Sequence, residues 1–166
     1  MTDTTSASAS VPARPFEEAF SHAEAPPLDQ AMRAAIAPML RGTLLERCGI
    51  EVLTLAAHGG TASMPVEGNL QPAGLLHGGA TIALAESLAS FAAQLQARDV
   101  HGDGAQAVGT SVSALHHRSA RSGMVVASCT ARQLGRQVAA YLVEVHDEDG
   151  HLLSTITVAT QLLPPR

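Results

Sequence analysis

The chain has no tryptophan and no lysine, one tyrosine and three phenylalanines. A core without large aromatics must be built from Ala, Val, Leu and Ile. With Lys absent, all ten positive charges are Arg, against 15 acidic residues, and the formal net charge is −5. This balance makes no broad basic field, so nucleic acid is not an expected partner. A local cluster of Arg can still hold phosphate. Two cysteines, Cys48 and Cys129, are too few and too far apart for a disulfide framework or a metal pattern. They fit small apolar roles in a reducing, cytoplasmic setting. The most apolar long window, Gly78 to Ala97, carries Glu86 in its middle and two Gln, Gln94 and Gln96. It suits a buried helix of a soluble protein better than a membrane span. Residues 1–10 have no positive n-region and no apolar stretch follows, so a secretory signal is not expected.

What is present suits one domain in 166 residues. Met1 to Pro27 is rich in Ser, Thr, Ala, Pro and acidic residues. It predicts a flexible tail with a short ordered piece near Phe16 to Phe20, ahead of a single domain over 28–163. Asp29 can cap a helix through Leu40, whose last turn Pro38 disturbs. Ile50 to Leu55 has strand character. His58-Gly59-Gly60 signals a turn, and Thr61 to Val66 is the return strand. After a loop through Gly74, the long helix repeats Leu84, Leu88, Phe91 and Leu95 as one stripe. Ala85, Ala89 and Ala92 on the neighbouring face let a sheet come close. Four strands follow: Ala107 to His116, Met124 to Leu134, Gln137 to His146 and Leu153 to Leu162. Their connections are too short for parallel crossovers, so they must run antiparallel. The fold class is α+β, one antiparallel sheet with the helix across one face. No row of Lys or Pro blunts the sheet edges, which predicts a homodimer that pairs them.

The chemistry concentrates in Gln71-Pro72-Ala73-Gly74-Leu75-Leu76-His77-Gly78-Gly79 and the helix behind it. The first N–H groups of a helix lack intrahelical partners. Gly78 and Gly79 would leave those amides open to a carbonyl oxygen that gains charge during attack. His77 can fix the loop or the substrate. Glu86 is the only charged residue between His77 and Arg98. A carboxylate in an apolar helix needs a partner or a task. It is either hydrogen-bonded or solvent-facing, or it is a base or nucleophile. Ser90, four residues on, shares its face and either orients the carboxylate or a water, or only permits helix contact. Gly78 and Glu86 are eight residues apart, about 12 Å of rise at roughly 1.5 Å each. One substrate meets both only if a second subunit lays its helix antiparallel to the first.

The string Gln71…His77-Gly78-Gly79…Glu86…Ser90 resembles the hotdog-fold acyl-CoA thioesterases, over about residues 42 to 163. Within them it is similar to the PaaI-like branch of Arthrobacter-type 4-hydroxybenzoyl-CoA, 1,4-dihydroxy-2-naphthoyl-CoA and enterobactin-pathway proofreading thioesterases. The resemblance implies a long helix wrapped by a curved antiparallel sheet, paired into dimers and dimers of dimers. It implies hydrolysis of an acyl-CoA, with an aromatic acyl group preferred. Glu86 would be nucleophile or general base, and the amide of Gly78 or Gly79 would polarise the carbonyl. Gln71 and His77 would position the thioester, and Ser90 would hold the water or the carboxylate. Some relatives have Thr in place of Ser90, and the phenylacetyl-CoA branch has Asp in place of Glu86.

A second cluster, His116-His117-Arg118-Ser119-Ala120-Arg121-Ser122-Gly123, follows a strand. It is either an ordinary solvated turn or a phosphate site. The resemblance implies that Arg118, Ser119 and Arg121 meet the phosphates of coenzyme A and that His116 lies near the acyl or pantetheine arm. Naphthoyl-CoA-type relatives have Asn in place of Leu115. Arg132 and Arg136 are secondary candidates. Coenzyme A is then part of the substrate, and no separate cofactor is implied. The eight His are scattered and suggest no metal site. No phosphate-binding Gly loop or nucleophile elbow occurs. The alternatives are a non-hydrolytic acyl-CoA-binding hotdog protein and a hotdog hydratase or dehydratase. The position of Glu86 after His77-Gly78-Gly79 speaks against the last.

Overall fold

A computed structural model describes residues 25–166. Residues 1–24, which hold most of the predicted tail and the segment Phe16 to Phe20, lie outside the described residues. Ala25, Pro26 and Pro27 do not continue a tail but lie along the first strand. Leu28 N–H donates to Leu53 O, Leu55 N–H donates to Pro26 O, and Pro27 bridges Thr54.

Helix α1, Gln30–Leu40, starts where the Asp29 carboxylate accepts the Met32 N–H at 2.7 Å. Pro38 lies inside it without ending it. The short α2, Leu44–Cys48, stops at Gly49, which takes the left-handed conformation (φ 66°) that favours glycine. Strands β1, Glu51–Ala56, and β2, Gly59–Pro65, form a hairpin with Ala56 opposite Gly59. The turn is therefore Ala57-His58, and Gly59 and Gly60 belong to the strand, contrary to their reading as turn residues. Both are buried because other backbone presses on them. A Cβ at Gly59 would strike the Cys129 carbonyl, and one at Gly60 the Thr54 carbonyl.

Helix α3, Gly78–His101, has 24 residues and runs one turn past the predicted end. It leads to β3, Gln106–His116, then β4, Met124–Leu134, β5, Val138–Asp147, and β6, Leu152–Leu163. Among the described residues the strands form one antiparallel sheet in the order β1-β2-β4-β5-β6-β3. The helix thus carries the chain from one side of the sheet to its far edge.

Helix α3 contacts all six strands, so the sheet wraps around it. Its Leu84, Ala85, Leu88, Ala89, Ala92, Ala93 and Ala97 are buried against alternate residues of β4, β5 and β6, among them Val125, Ala127, Tyr141, Val143, Ile156 and Val158. Alanine on the helix brings the sheet close, and branched side chains from the strands fill the space. Burying one Leu or Val fully contributes roughly 1.5–3 kcal/mol. Tyr141, the only tyrosine, donates its hydroxyl proton to Ala57 O at 2.9 Å and ties β5 to the first hairpin. The predicted stripe is half right: Leu84 and Leu88 are fully buried, whereas Phe91 and Leu95 lie at the margin.

The two sheet edges differ. Residues 25–28 cover β1. Strand β3 lies open, and most of its residues are exposed, including Val108 at 41% and Leu115 at 63%.

Candidate active site

The entry to α3 is built by a pinned loop. The buried Asn69 donates its side-chain amide to Cys48 O (2.8 Å) and Pro65 O (2.9 Å), and its own carbonyl accepts the His77 N–H. Leu76 N–H donates to Ala120 O, which ties this loop to the one after β3. The sequence reading passed over Asn69. A polar residue after Gly68 is common in loops, and nothing local marks it as buried.

His77 is the N-cap of α3. Its ring Nδ1 accepts the Gly79 N–H at 2.8 Å, and its carbonyl accepts from Ala80 and Thr81. This separates the two glycines. The Gly79 amide is occupied, while the Gly78 N–H has no acceptor among the described residues. Gly78 is therefore the donor available to a ligand. A Cβ there would lie 2.7 Å from His116 Nε2, so any larger residue must push that ring aside.

Beside Gly78 opens a cavity of about 380 Å³ whose lining includes Gln71, Gly78, His116, Arg118, Ser119 and Ser154. Five of the predicted site residues thus come together. His116 Nδ1 is 2.8 Å from the hydroxyl of buried Ser154, and His117 Nε2 is 2.9 Å from Thr155 Oγ1. Arg121 is exposed and does not line this cavity. Arg136 is at the opposite end of α3, where its carbonyl meets His101 Nε2 at 2.6 Å. His77 and Gly79 line a second, mainly apolar cavity of about 330 Å³ with Leu44, Cys48, Leu70 and Ala83.

Glu86 and Ser90 are half-buried on α3 and line neither cavity. Glu86 has no hydrogen bond or ion pair among the described residues. Its Oε1 lies against β3, 3.1 Å from where a Cβ of Gly109 would be. Gly109 sits at a register shift in the β3–β6 pairing and was missed in the sequence. An isolated Gly in a strand is the signal that could have found it, since it marks a bulge or a close approach. The amide end and the carboxylate end of the site thus occupy one helix, two turns apart, and the carboxylate faces the open edge.

The remaining groups fit structural roles. Burial pushes the Cys129 thiol up to about 12, which keeps it inert. Burial likewise raises Tyr141, helped by Cys129. One set of possible metal ligands exists among the described residues, Asp147, Asp149 and His151, within 4.8 Å of one another. Asp147 already accepts the N–H groups of Asp149 and His151, which shapes the β5–β6 turn. No described helix is long and apolar enough to cross a membrane.

Comparison with known proteins identifies the family. Residues 73–154 match the thioesterase superfamily. The chain is 42% identical over 123 residues to the proofreading thioesterase EntH of Cronobacter turicensis, covering 74% of this chain and 87% of that protein. The Klebsiella pneumoniae EntH is 39% identical over 131 residues, with 78% and 93% covered. Among solved structures, a thioesterase of Haemophilus influenzae superposes with a TM-score of 0.70 at 30% identity, covering 76% of this chain and 87% of that one. A variant thioesterase of Pseudomonas aeruginosa gives 0.73 at 31%, with 83% and 98% covered. The chain belongs to the thioesterase superfamily, in its PaaI-like hotdog branch. It is a thioester hydrolase, which removes the non-hydrolytic alternative.

Proposed function

We propose that the chain hydrolyses acyl-CoA thioesters, with an aromatic acyl group preferred, at a site shared by two subunits. The observation that carries this is the separation of an unpaired Gly78 amide from a Glu86 carboxylate that lies against an open edge strand. About 12 Å of helix keeps them from meeting one thioester within a subunit. A partner added along β3 would bring its Glu86 to this Gly78. The Gly78 N–H would then stabilise the carbonyl oxygen, Gln71 would position the thioester, and Ser90 would hold a water or the carboxylate. Arg118 and Ser119 would take the coenzyme A phosphates, with Arg121 a more distant contributor. His77 acts through the loop and the Gly79 amide it holds.

Glu86 attacks the carbonyl itself or removes a proton from water. Label found on Glu86 after single turnover in H₂¹⁸O establishes the nucleophilic route, with water attacking the glutamyl carbon of a mixed anhydride; a general base acquires none. Dimers of dimers and a cytoplasmic setting complete the reading; two free thiols suit a reducing compartment.

The test is Glu86→Ala assayed for thiol release on hydroxynaphthoyl-, hydroxybenzoyl-, phenylacetyl- and straight-chain acyl-CoAs. The expected loss is at least about 10²-fold with the assembly intact. More than about a tenth of the turnover remaining would overturn the role of Glu86.

A further inference from the structure

The first cavity holds a side chain placed to serve the leaving group. His116 ends β3 opposite Ser154 of β6, and its Nδ1 lies 2.8 Å from the Ser154 hydroxyl. Ser154 is only 2% exposed. A hydroxyl that donates to Nδ1 fixes the ring tautomer with its proton on Nε2. That Nε2 is turned onto the start of α3, close enough that a Cβ at Gly78 would lie 2.7 Å from it. Gly78, His116, Ser154, Arg118 and Ser119 all line the same cavity.

Resting on the acyl-CoA reading above, we propose that His116 donates a hydrogen bond from Nε2 to the sulfur that leaves during thioester cleavage. With the carbonyl oxygen on the Gly78 amide, the sulfur, bonded to the same carbon, lies within reach of a donor set against Gly78. The chain leaves β3 at His116 toward Arg118, so a coenzyme A arm running to Arg118 carries the sulfur past His116.

The step balances. In the general-base route Glu86 takes a proton from water, and the hydroxide oxygen bonds to the acyl carbon. The C–S bond then breaks and its electron pair goes to sulfur, where the Nε2–H stabilises the negative charge. The thiolate finally takes the proton held on Glu86, so thioester and water become acid and thiol. In the nucleophilic route the same hydrogen bond serves the first C–S cleavage.

A binding role and a leaving-group role differ in one measurable way. A thiolate from an aryl thiol departs without help, whereas an alkyl thiolate such as that of coenzyme A gains from a donor. The experiment measures kcat/KM of wild type, His116→Ala, His116→Gln and Ser154→Ala on two thioesters of the same acid. One is the benzyl thioester, which leaves as an alkyl thiolate, and the other the thiophenyl thioester. Both lack the coenzyme A arm, so only leaving-group basicity differs, and thermal melting checks the fold. His116→Ala should lose about 10- to 10²-fold on the benzyl ester and less than about threefold on the aryl ester. His116→Gln, which keeps a donor, should recover part of the loss. Ser154→Ala should show a smaller loss with the same leaving-group dependence, and it carries the test if His116→Ala does not fold. Equal losses on both esters would overturn the proposal and leave His116 as a binding or oxyanion group. Wild type inactive on the CoA thioester of the same acid would overturn the acyl-CoA reading itself.

Discussion

At the residue scale the proposed site depends on two glycines, Gly78 and Gly109, set closely against His116 and Glu86. Gly78→Ala keeps the amide but pushes a methyl into His116, so it should lower kcat on CoA esters by about tenfold with little change in melting temperature. Gly109 could be read from the sequence as an isolated strand glycine, but not as a neighbour of Glu86, which lies 23 positions earlier (109 minus 86). The 3.1 Å gap leaves a Cβ no comfortable space, and Gly109→Ala must displace the carboxylate by a few tenths of an ångström. Its kcat should fall about tenfold while urea denaturation shows a fold close to wild type. An unchanged kcat would mean that Glu86 works from another rotamer. His146 on β5 sets a pH dependence. Burial lowers its pKa below the ordinary 6.5, and nearby Glu144 and Asp147 oppose part of that shift. A depressed value means the folded state prefers neutral imidazole. The associated stability is present above about pH 6.5 and is lost as pH falls through the lowered folded-state value. Urea midpoints measured from pH 7.5 to 5 should decline, and His146→Phe should flatten that part of the slope.

At the scale of elements, the order and nature of the strands and the long helix were legible because each follows its own period. Alternation in β5 puts Ala139, Tyr141, Val143 and Val145 in the core. The helix repeat puts Leu84 and Leu88 there. The errors have physical causes. Gly59 and Gly60 suggested a turn, but here glycine answers crowding by neighbouring carbonyls, which no local pattern reveals. Residues 25–27 looked like tail because proline and alanine carry no period, yet they hydrogen-bond along β1. The fate of the Gly79 amide was also hidden, since the rotamer of His77 decides it. Helix α3 is both the center of the core and the frame of the site, so its packing should govern stability and activity together. Leu88→Ala removes a fully buried side chain between helix and sheet and should cost about 2–5 kcal/mol by denaturant unfolding.

At the scale of the whole molecule, one helix serves two sites. If its first amide belongs to one thioester and its carboxylate to another, two defective subunits can repair each other. Gly78→Pro suits the amide end. Gly78 is the first residue of α3, where proline is tolerated, and His77 already has the extended ψ of 125° that a following proline favours. The substitution removes the N–H at the cost of a ring crowding His116. Alone it should reduce turnover by about 10²- to 10³-fold. Glu86→Ala alone should be at least as damaged. Mixed one to one and allowed to exchange, half the dimers are heterodimers. Each of these has one site with an intact Gly78 from the Glu86→Ala subunit and an intact Glu86 from the other, while its second site carries both defects. One working site in two, in half the dimers, returns about a quarter of wild-type activity. Thiol release from the mixture, followed as exchange proceeds, should rise toward that level. A site complete within a single subunit predicts no rise at all, because neither variant then supplies a working pair.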